Sequence, residues 1–222
     1  MSGSWYFLGE IYRRQNYAEK ALTAFQKALS IDPRTYEALN GSAAVHKSQG
    51  NFSRAAMLYR QSLAQMEYQP EVAAELGDCY LKLNDYPQAI NQYDKALSMG
   101  NTSEKVVFNM GNASLLAGQY TEAEKCFDNI LARNDSNPDI YYNLGNLQAM
   151  QNQFGRAIPL YKKAIALSKN EPDYFNNLGM CYRRTGNIRQ ALAVFNEGLK
   201  LHPDSPLLVK NAEETKKSMT TK

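Results

Sequence analysis

One period governs this 222-residue chain: glycine, alanine and an aromatic residue recur together on a 34-residue grid. Gly9, Gly77, Gly111, Gly145 and Gly179 mark it, with Ala43 in the single gap. Twelve residues after each stands an alanine: Ala21, Ala55, Ala89, Ala123, Ala157 and Ala191. Four residues beyond each alanine comes Phe25, Tyr59, Tyr93, Phe127, Tyr161 or Phe195. Six recurrences without insertion or deletion exclude coincidence. A period of this length requires stacked supersecondary units, because one such unit cannot bury its apolar face alone.

Each period reads as two helices. The first carries apolar residues three and four apart, as in Trp5, Leu8 and Tyr12 or Phe175, Leu178 and Tyr182, the spacing of an amphipathic helix. A polar break follows at Gly50-Asn51, Gly118-Gln119 and Gly186-Asn187, where glycine can end a helix in the left-handed conformation. The second helix carries the alanine and the aromatic on one face. Proline opens the next first helix at Pro70, Pro138, Pro172 and Pro206, where its missing N–H costs nothing. Glycine inside a helix costs about 1 kcal/mol against alanine. Five on one grid therefore predict helices that approach closely, with a neighbouring aromatic filling the space a side chain would take.

Composition narrows the remaining possibilities. Hydrophobic residues make up 44% and charged residues 21% of the chain, which excludes a disordered polar segment. No apolar run approaches the ~18 residues of a spanning helix, and the start MSGSWYFLGE lacks the pattern of a secretory signal. The net charge of +3, from 25 Lys+Arg against 22 Asp+Glu, is too small and too mixed for a nucleic-acid binder. Cys79, Cys126 and Cys181 are odd in number and widely spaced, which argues against disulfides and a structural zinc site. The expected compartment is cytoplasmic. Five N-x-S/T triplets, at Asn40, Asn51, Asn101, Asn112 and Asn134, are read as coincidental, since two fall inside helical periods.

The first period contains Trp5, Leu8, Gly9, Tyr12, Ala21, Phe25, Ala28 and Pro33. This W-x-x-L-G-x-x-Y…A-x-x-x-F-x-x-A…P pattern resembles the tetratricopeptide repeat family. The resemblance covers residues 2–205 as six repeats: 2–35, 36–69, 70–103, 104–137, 138–171 and 172–205. Residues 206–218 resemble the extra helix that closes such arrays, so that 1–222 is expected to be one array. The closing proline recurs only as Pro33 and Pro203, with Asn101 and Asp135 in the third and fourth repeats. Tyr17 arrives one residue early, which predicts a different turn in the first repeat. Pro159 falls inside a second helix, where it removes a hydrogen bond and predicts a kink. The family likeness implies an all-α, right-handed superhelical solenoid whose first helices line a concave groove.

On that likeness, Asn109, Asn143, Asn177 and Asn211 occupy one inward position 34 residues apart, and stacking would align them as a ladder. Asn112 and Asn146 add a second column one helical turn away. Asparagine offers both an acceptor and donors, so it can pair with a peptide group in either sense. The run Asn143 to Asn146 (N-L-G-N) resembles the asparagine ladders of tetratricopeptide domains in O-linked N-acetylglucosamine transferases, which hold extended peptides. The alternative is that these asparagines cap or bridge adjacent helices. Inward-facing Phe108 and Tyr142 are the expected apolar anchors. Chaperone-binding members hold a terminal carboxylate with lysines and an arginine. The matching positions here are Phe108, Tyr142, Asp173 and Asn177, and Glu71, Glu75 and Asp78 carry the wrong sign in the first three repeats, so no such clamp is expected.

Other charges follow the helix dipole, acids such as Glu37 and Asp139 in first turns and bases such as Lys47 and Arg183 in last turns. Mid-helix Glu75 and Asp78 stand apart: they either draw basic ligand segments electrostatically or are simply solvated. Catalysis has little material. His46 takes the position of Tyr12, Tyr80 and Tyr182 and reads as a packed imidazole; His202 is remote from it, and the cysteines read as small buried residues. No nucleotide-binding, zinc-protease or serine-hydrolase motif occurs. The expected function is a non-catalytic scaffold that binds an extended or helical segment of another protein, with no metal, cofactor, nucleic-acid or membrane partner. The alternative is the substrate-recognition arm of a larger enzyme such as a glycosyltransferase, since the chain begins directly on its first repeat. Self-association through end repeats is a third possibility.

Overall fold

Short connections leave each helix in this chain no room to pack anywhere but on its neighbours. The computed structural model describes residues 1–220. Its helices are α1 (Ser2–Arg14), α2 (Ala18–Ile31), α3 (Tyr36–Ser48), α4 (Phe52–Gln65), α5 (Pro70–Lys82), α6 (Tyr86–Ser98), α7 (Glu104–Leu116), α8 (Tyr120–Leu131), α9 (Pro138–Met150), α10 (Phe154–Leu167), α11 (Pro172–Arg184), α12 (Ile188–Leu201) and α13 (Pro206–Thr220). Odd-numbered helices start at residues 2, 36, 70, 104, 138, 172 and 206, one period apart. The fold is all-α, six helix-turn-helix repeats followed by a closing helix.

The turn within each repeat has one construction. Asn16, Gly50, Asn84, Gly118, Asn152 and Gly186 all adopt positive φ, between 60° and 78°. After each, the next N–H donates to the carbonyl five residues back, as in Tyr17 to Tyr12 at 2.9 Å and Asn187 to Tyr182 at 2.8 Å. This is the Schellman closure, and asparagine is the residue besides glycine that accepts it. The first repeat is therefore not an exception. Tyr17 begins the next helix as Asn51 and Asp85 do, and the turn residue is Asn16. Helix α10 runs unbroken through Pro159.

The helices form two compact units, Met1–Gln119 and Tyr120–Lys222. In the first, α1 packs on α2, α3 on α4 and α5 on α6, with α1 also touching α3 and α5 touching α7. Phe25 is fully buried between α1 and α3, and a Cβ added at Gly9 would lie 2.5 Å from its ring. Gly41 faces the same ring from the other side. Tyr93 lies likewise against Gly77, at 2.7 Å from an added Cβ. In the second unit Tyr161 covers Gly145, at 2.6 Å, and Phe195 covers Gly179. The expected close approach of helices is thus realised by aromatic rings seated on glycine. Helix α13 buries Leu208, Ala212 and Thr215 against α11 and α12 and exposes Lys210, Glu213, Glu214, Lys216 and Lys217, together with Leu207 and Val209.

Candidate functional site

The expected ladder residues Asn109, Asn112, Asn143, Asn146, Asn177 and Asn211 are all half-buried on odd-numbered helices, as are Phe108, Tyr142, Glu75 and Asp78. Half-burial is the condition for a ligand site on a helix: the side chain is positioned by neighbours yet reachable.

In the first unit the centre of the arrangement is Asp78 on α5. Its Oδ1 accepts from the Tyr93 hydroxyl and from Asn109 Nδ2, each at 2.8 Å. Its Oδ2 accepts from Lys47 on α3 and Lys105 on α7, also at 2.8 Å. Lys47 bonds Glu75 as well, at 2.5 Å, and Lys105 lies 3.8 Å from it. Burial by itself would push the Asp78 carboxyl up. The hydrogen bonds from Lys105 and Lys47, the charge of Lys47 and the Tyr93 hydroxyl outweigh burial and hold it below its ordinary value. Glu75 and Asp78 thus differ from the open negative patch envisaged for basic ligands: two lysines from neighbouring helices already match the two acids. Asp78 instead orients Asn109.

The second unit repeats this geometry with an amide in place of the acid. Asn146 Oδ1 accepts from the Tyr161 hydroxyl at 2.7 Å and from Asn177 Nδ2 at 2.9 Å. The sequence separations, 15 and 31 residues, are those of Tyr93 and Asn109 about Asp78. Asn177 Nδ2 also reaches the Tyr142 hydroxyl at 3.1 Å. Asn176 Nδ2 donates to Asn177 Oδ1 at 3.1 Å, and Asn211 Nδ2 donates to Asn176 Oδ1 at 2.6 Å. Arg183 closes the row, 3.4 Å from Asn211 Oδ1 and 3.3 Å from Glu214. The Tyr142 ring packs 5.0 Å from Tyr174 and 5.8 Å from Tyr161.

These side chains therefore bridge adjacent helices within each unit, and they include Asn176 and Tyr161 in the second and Tyr93 in the first, which the sequence reading did not assign to the site. The sequence held no clean signal for these tyrosines: the grid aromatic is tyrosine 15 residues after Asp78 and Asn146, but phenylalanine after Asn112 and tyrosine again after Ala44. Bridging leaves capacity for a ligand. A carboxamide has two N–H donors and two acceptor lone pairs, and each bond above uses one of them.

The groups considered for chemistry are elsewhere. His46 is half-buried, its basicity lowered by burial and by Arg54, and its Nδ1 has no partner among the described residues. His202 Nε2 sits 2.8 Å from the Lys169 carbonyl. Burial pushes the thiols of Cys79, Cys126 and Cys181 up to about 11, away from the thiolate form that reacts. Among the described residues no group of three or more His, Cys, Asp or Glu could hold a metal ion, and no helix is long and apolar enough to cross a membrane.

Comparison with known proteins bears on the repeats and the fold. Family models described as tetratricopeptide repeat match residues 2–35, 46–106, 108–172 and 148–212. Among solved structures, PilW, a type IV pilus biogenesis factor, is 22% identical with a TM-score of 0.75, covering 94% of this chain and 97% of its own. YrrB, described as a TPR protein with an unusual peptide-binding site, is 19% identical with a TM-score of 0.67, covering 86% of this chain and 98% of its own. The general transcriptional corepressor trfA of Dictyostelium discoideum is 28% identical over 91 residues, 41% of this chain and 6% of that protein's length.

Proposed function

This chain belongs to the tetratricopeptide repeat family, and from that premise we propose that it is a non-catalytic interaction module whose odd-numbered helices read the backbone of a peptide segment from a partner protein. The observation that carries this reading is the row of half-buried carboxamides Asn146, Asn177, Asn176 and Asn211, fixed by Tyr161, Tyr142 and Arg183. Side chains held in one orientation lose little further entropy on binding. Asn109, held by Asp78, is its counterpart in the first unit, where Asn112 is a further proposed contact, as Asn143 is in the second. The peptide-binding site attributed to YrrB comes to this chain only as part of this proposal.

Magnitudes set the division of labour. A hydrogen bond contributes a net ~0.5–1.5 kcal/mol, while association costs ~4–15 kcal/mol, so amides alone cannot hold a ligand. Phe108 and Tyr142 are the proposed apolar anchors. The test is a triple substitution, Asn109→Ala, Asn143→Ala and Asn177→Ala, titrated calorimetrically with linear peptides selected on the wild type from a random displayed library. Asp78 keeps Tyr93, Lys47 and Lys105 without Asn109, and Asn146 keeps Tyr161 without Asn177, so helicity by circular dichroism should hold. Affinity should fall at least tenfold, because peptide groups left unpaired cost ~1–3 kcal/mol each. Unchanged affinity with unchanged helicity would make the row purely structural.

A further inference from the structure

The first unit departs from its own pattern at one place. Tyr59 holds the same grid position as Tyr93 and Tyr161, yet the residue 15 positions earlier, Asp78 and Asn146 in those cases, is Ala44. The ladder position on that helix is Gly41. The short side chain of Ala44 leaves a pocket of about 430 Å³ whose walls include Ala44, Gly41, Tyr59 and Asn40, while the space beside Gly41 Cα on its other side is taken by the Phe25 ring. Tyr59 is only 3% exposed, and its hydroxyl has no hydrogen-bond partner among the described residues. Asn40 gives its Nδ2 to Gln69 at 2.8 Å, and its Oδ1 is buried with no partner there. The buried Asn40 amide oxygen left unsatisfied costs free energy unless something enters to meet it.

The pocket's charge says what would enter. Glu37, Glu71, Glu10 and Glu75 line it against a single base, Arg13. Arg13 is spent on Glu10 through two hydrogen bonds, at 3.0 and 2.7 Å, and Lys47 meets Glu75. Glu37 and Glu71 have no ion-pair partner among the described residues. The recess thus presents acceptors on different walls: Glu71, Glu37 beside the Tyr36 hydroxyl, and the Asn40 amide oxygen, with the Tyr59 hydroxyl able to accept as well. A guanidinium suits this set, having five N–H donors in a planar fork and a face that stacks on aromatic rings such as the lining Tyr6.

We propose that the recess bounded by Gly41, Ala44, Asn40, Tyr59, Glu37 and Glu71 is a docking pocket for an arginine side chain of the partner peptide. The proposal rests on the reading of the odd-numbered helices as a peptide site and adds a sequence requirement to it. Carboxamides elsewhere read backbone, and this pocket selects one residue.

The test uses the full chain and peptides selected on it from a random linear displayed library. Selected peptides should share an arginine whose replacement by citrulline, the neutral isostere, weakens binding about tenfold or more. Ala44→Asn supplies the amide that Asn146 gives Tyr161 and fills the recess without changing charge; in this variant the arginine and citrulline peptides should bind alike. Tyr59→Phe keeps the ring, as Phe25 and Phe195 do on the same grid, and should weaken only the arginine peptide. Circular dichroism confirms that both variants fold. Arginine dependence that survives Ala44→Asn overturns the pocket. Peptides that need the asparagines but no arginine overturn the pocket and leave the backbone-reading function standing. If selection yields no peptide, both fall.

Discussion

Glycine at a helix crossing and glycine on a helix surface have opposite consequences here, and the contrast is measurable. At Gly145 an added Cβ would stand 2.6 Å from the Tyr161 ring, which is itself fully buried. Gly145→Leu cannot be accommodated by a rotamer change in a ring already seated between helices. It should lower stability by about 1–3 kcal/mol or more, read as a fall in melting temperature. At Gly155, within α10, nothing lies within 4 Å of the added atom. Gly155→Ala should therefore stabilise by about 0.4–1 kcal/mol, because it restricts the unfolded chain at no cost to the folded one. If both variants melt with the wild type, aromatic seating does not limit helix approach. The same reasoning covers the positive-φ turns. Asn16, Asn84 and Asn152 serve where Gly50, Gly118 and Gly186 serve, so replacing either type by a β-branched residue loads strain onto the Schellman closure.

Between elements, the strongest polar link in the first unit is the set joining α3, α5 and α7 through Lys47, Asp78, Glu75 and Lys105. The Asp78 side chain is 12% exposed, so removing its partners would leave a largely buried charge unpaired, which costs more than losing a surface ion pair. Its carboxyl is held below the ordinary value in the folded state. The stability it contributes is then complete above the unfolded carboxylate value of about 3.9 and is lost as pH falls through the lower folded value. Lys47 works from the other side. Burial would lower its pKa, but hydrogen bonds to Asp78 and Glu75 raise it, so its share is lost only as strongly alkaline pH passes the raised folded value. Urea midpoints should thus fall on acidification below about pH 4. Asp78→Asn should cost about 1–3 kcal/mol at pH 7 and flatten that acid slope. A variant with the wild-type slope would show that other carboxylates carry it.

At the scale of the whole molecule, each repeat depends on a neighbour to cover its apolar face, and in the second unit the last cover is α13. Leu208, buried completely, packs with Phe175, Phe195, Cys181 and Ala212 in one cluster, and it also abuts Gly198. Deleting residues 206–222 removes Leu208 and Ala212 and bares that cluster to solvent. The truncated chain should show a mass by light scattering that rises with concentration and a lower melting temperature. A truncated protein that stays monomeric at high concentration would mean that α11 and α12 close over their own core.

The sequence alone determined the period, the helix pairs, the proline starts and the seating of aromatics on glycine. These depend on steric rules that act within one repeat or between two copies of it, so identical spacing enforces identical geometry. It also marked the asparagines of the odd-numbered helices, since polar residues in mid-helix are not selected for helix propensity. Only the tertiary structure decided what those asparagines bond. Asn109 turns to Asp78 and Asn177 to Asn146 because of what stands 31 residues earlier on another helix, and a hydrogen bond of 2.8 or 2.9 Å depends on side-chain rotamers that no period records. For the same reason Glu75 and Asp78, read as open acids, proved to be held by Lys47 and Lys105. Tyr59 is the sharpest case: by spacing it equals Tyr93 and Tyr161, but with Ala44 before it in place of an acid or amide its hydroxyl meets a pocket instead of a partner.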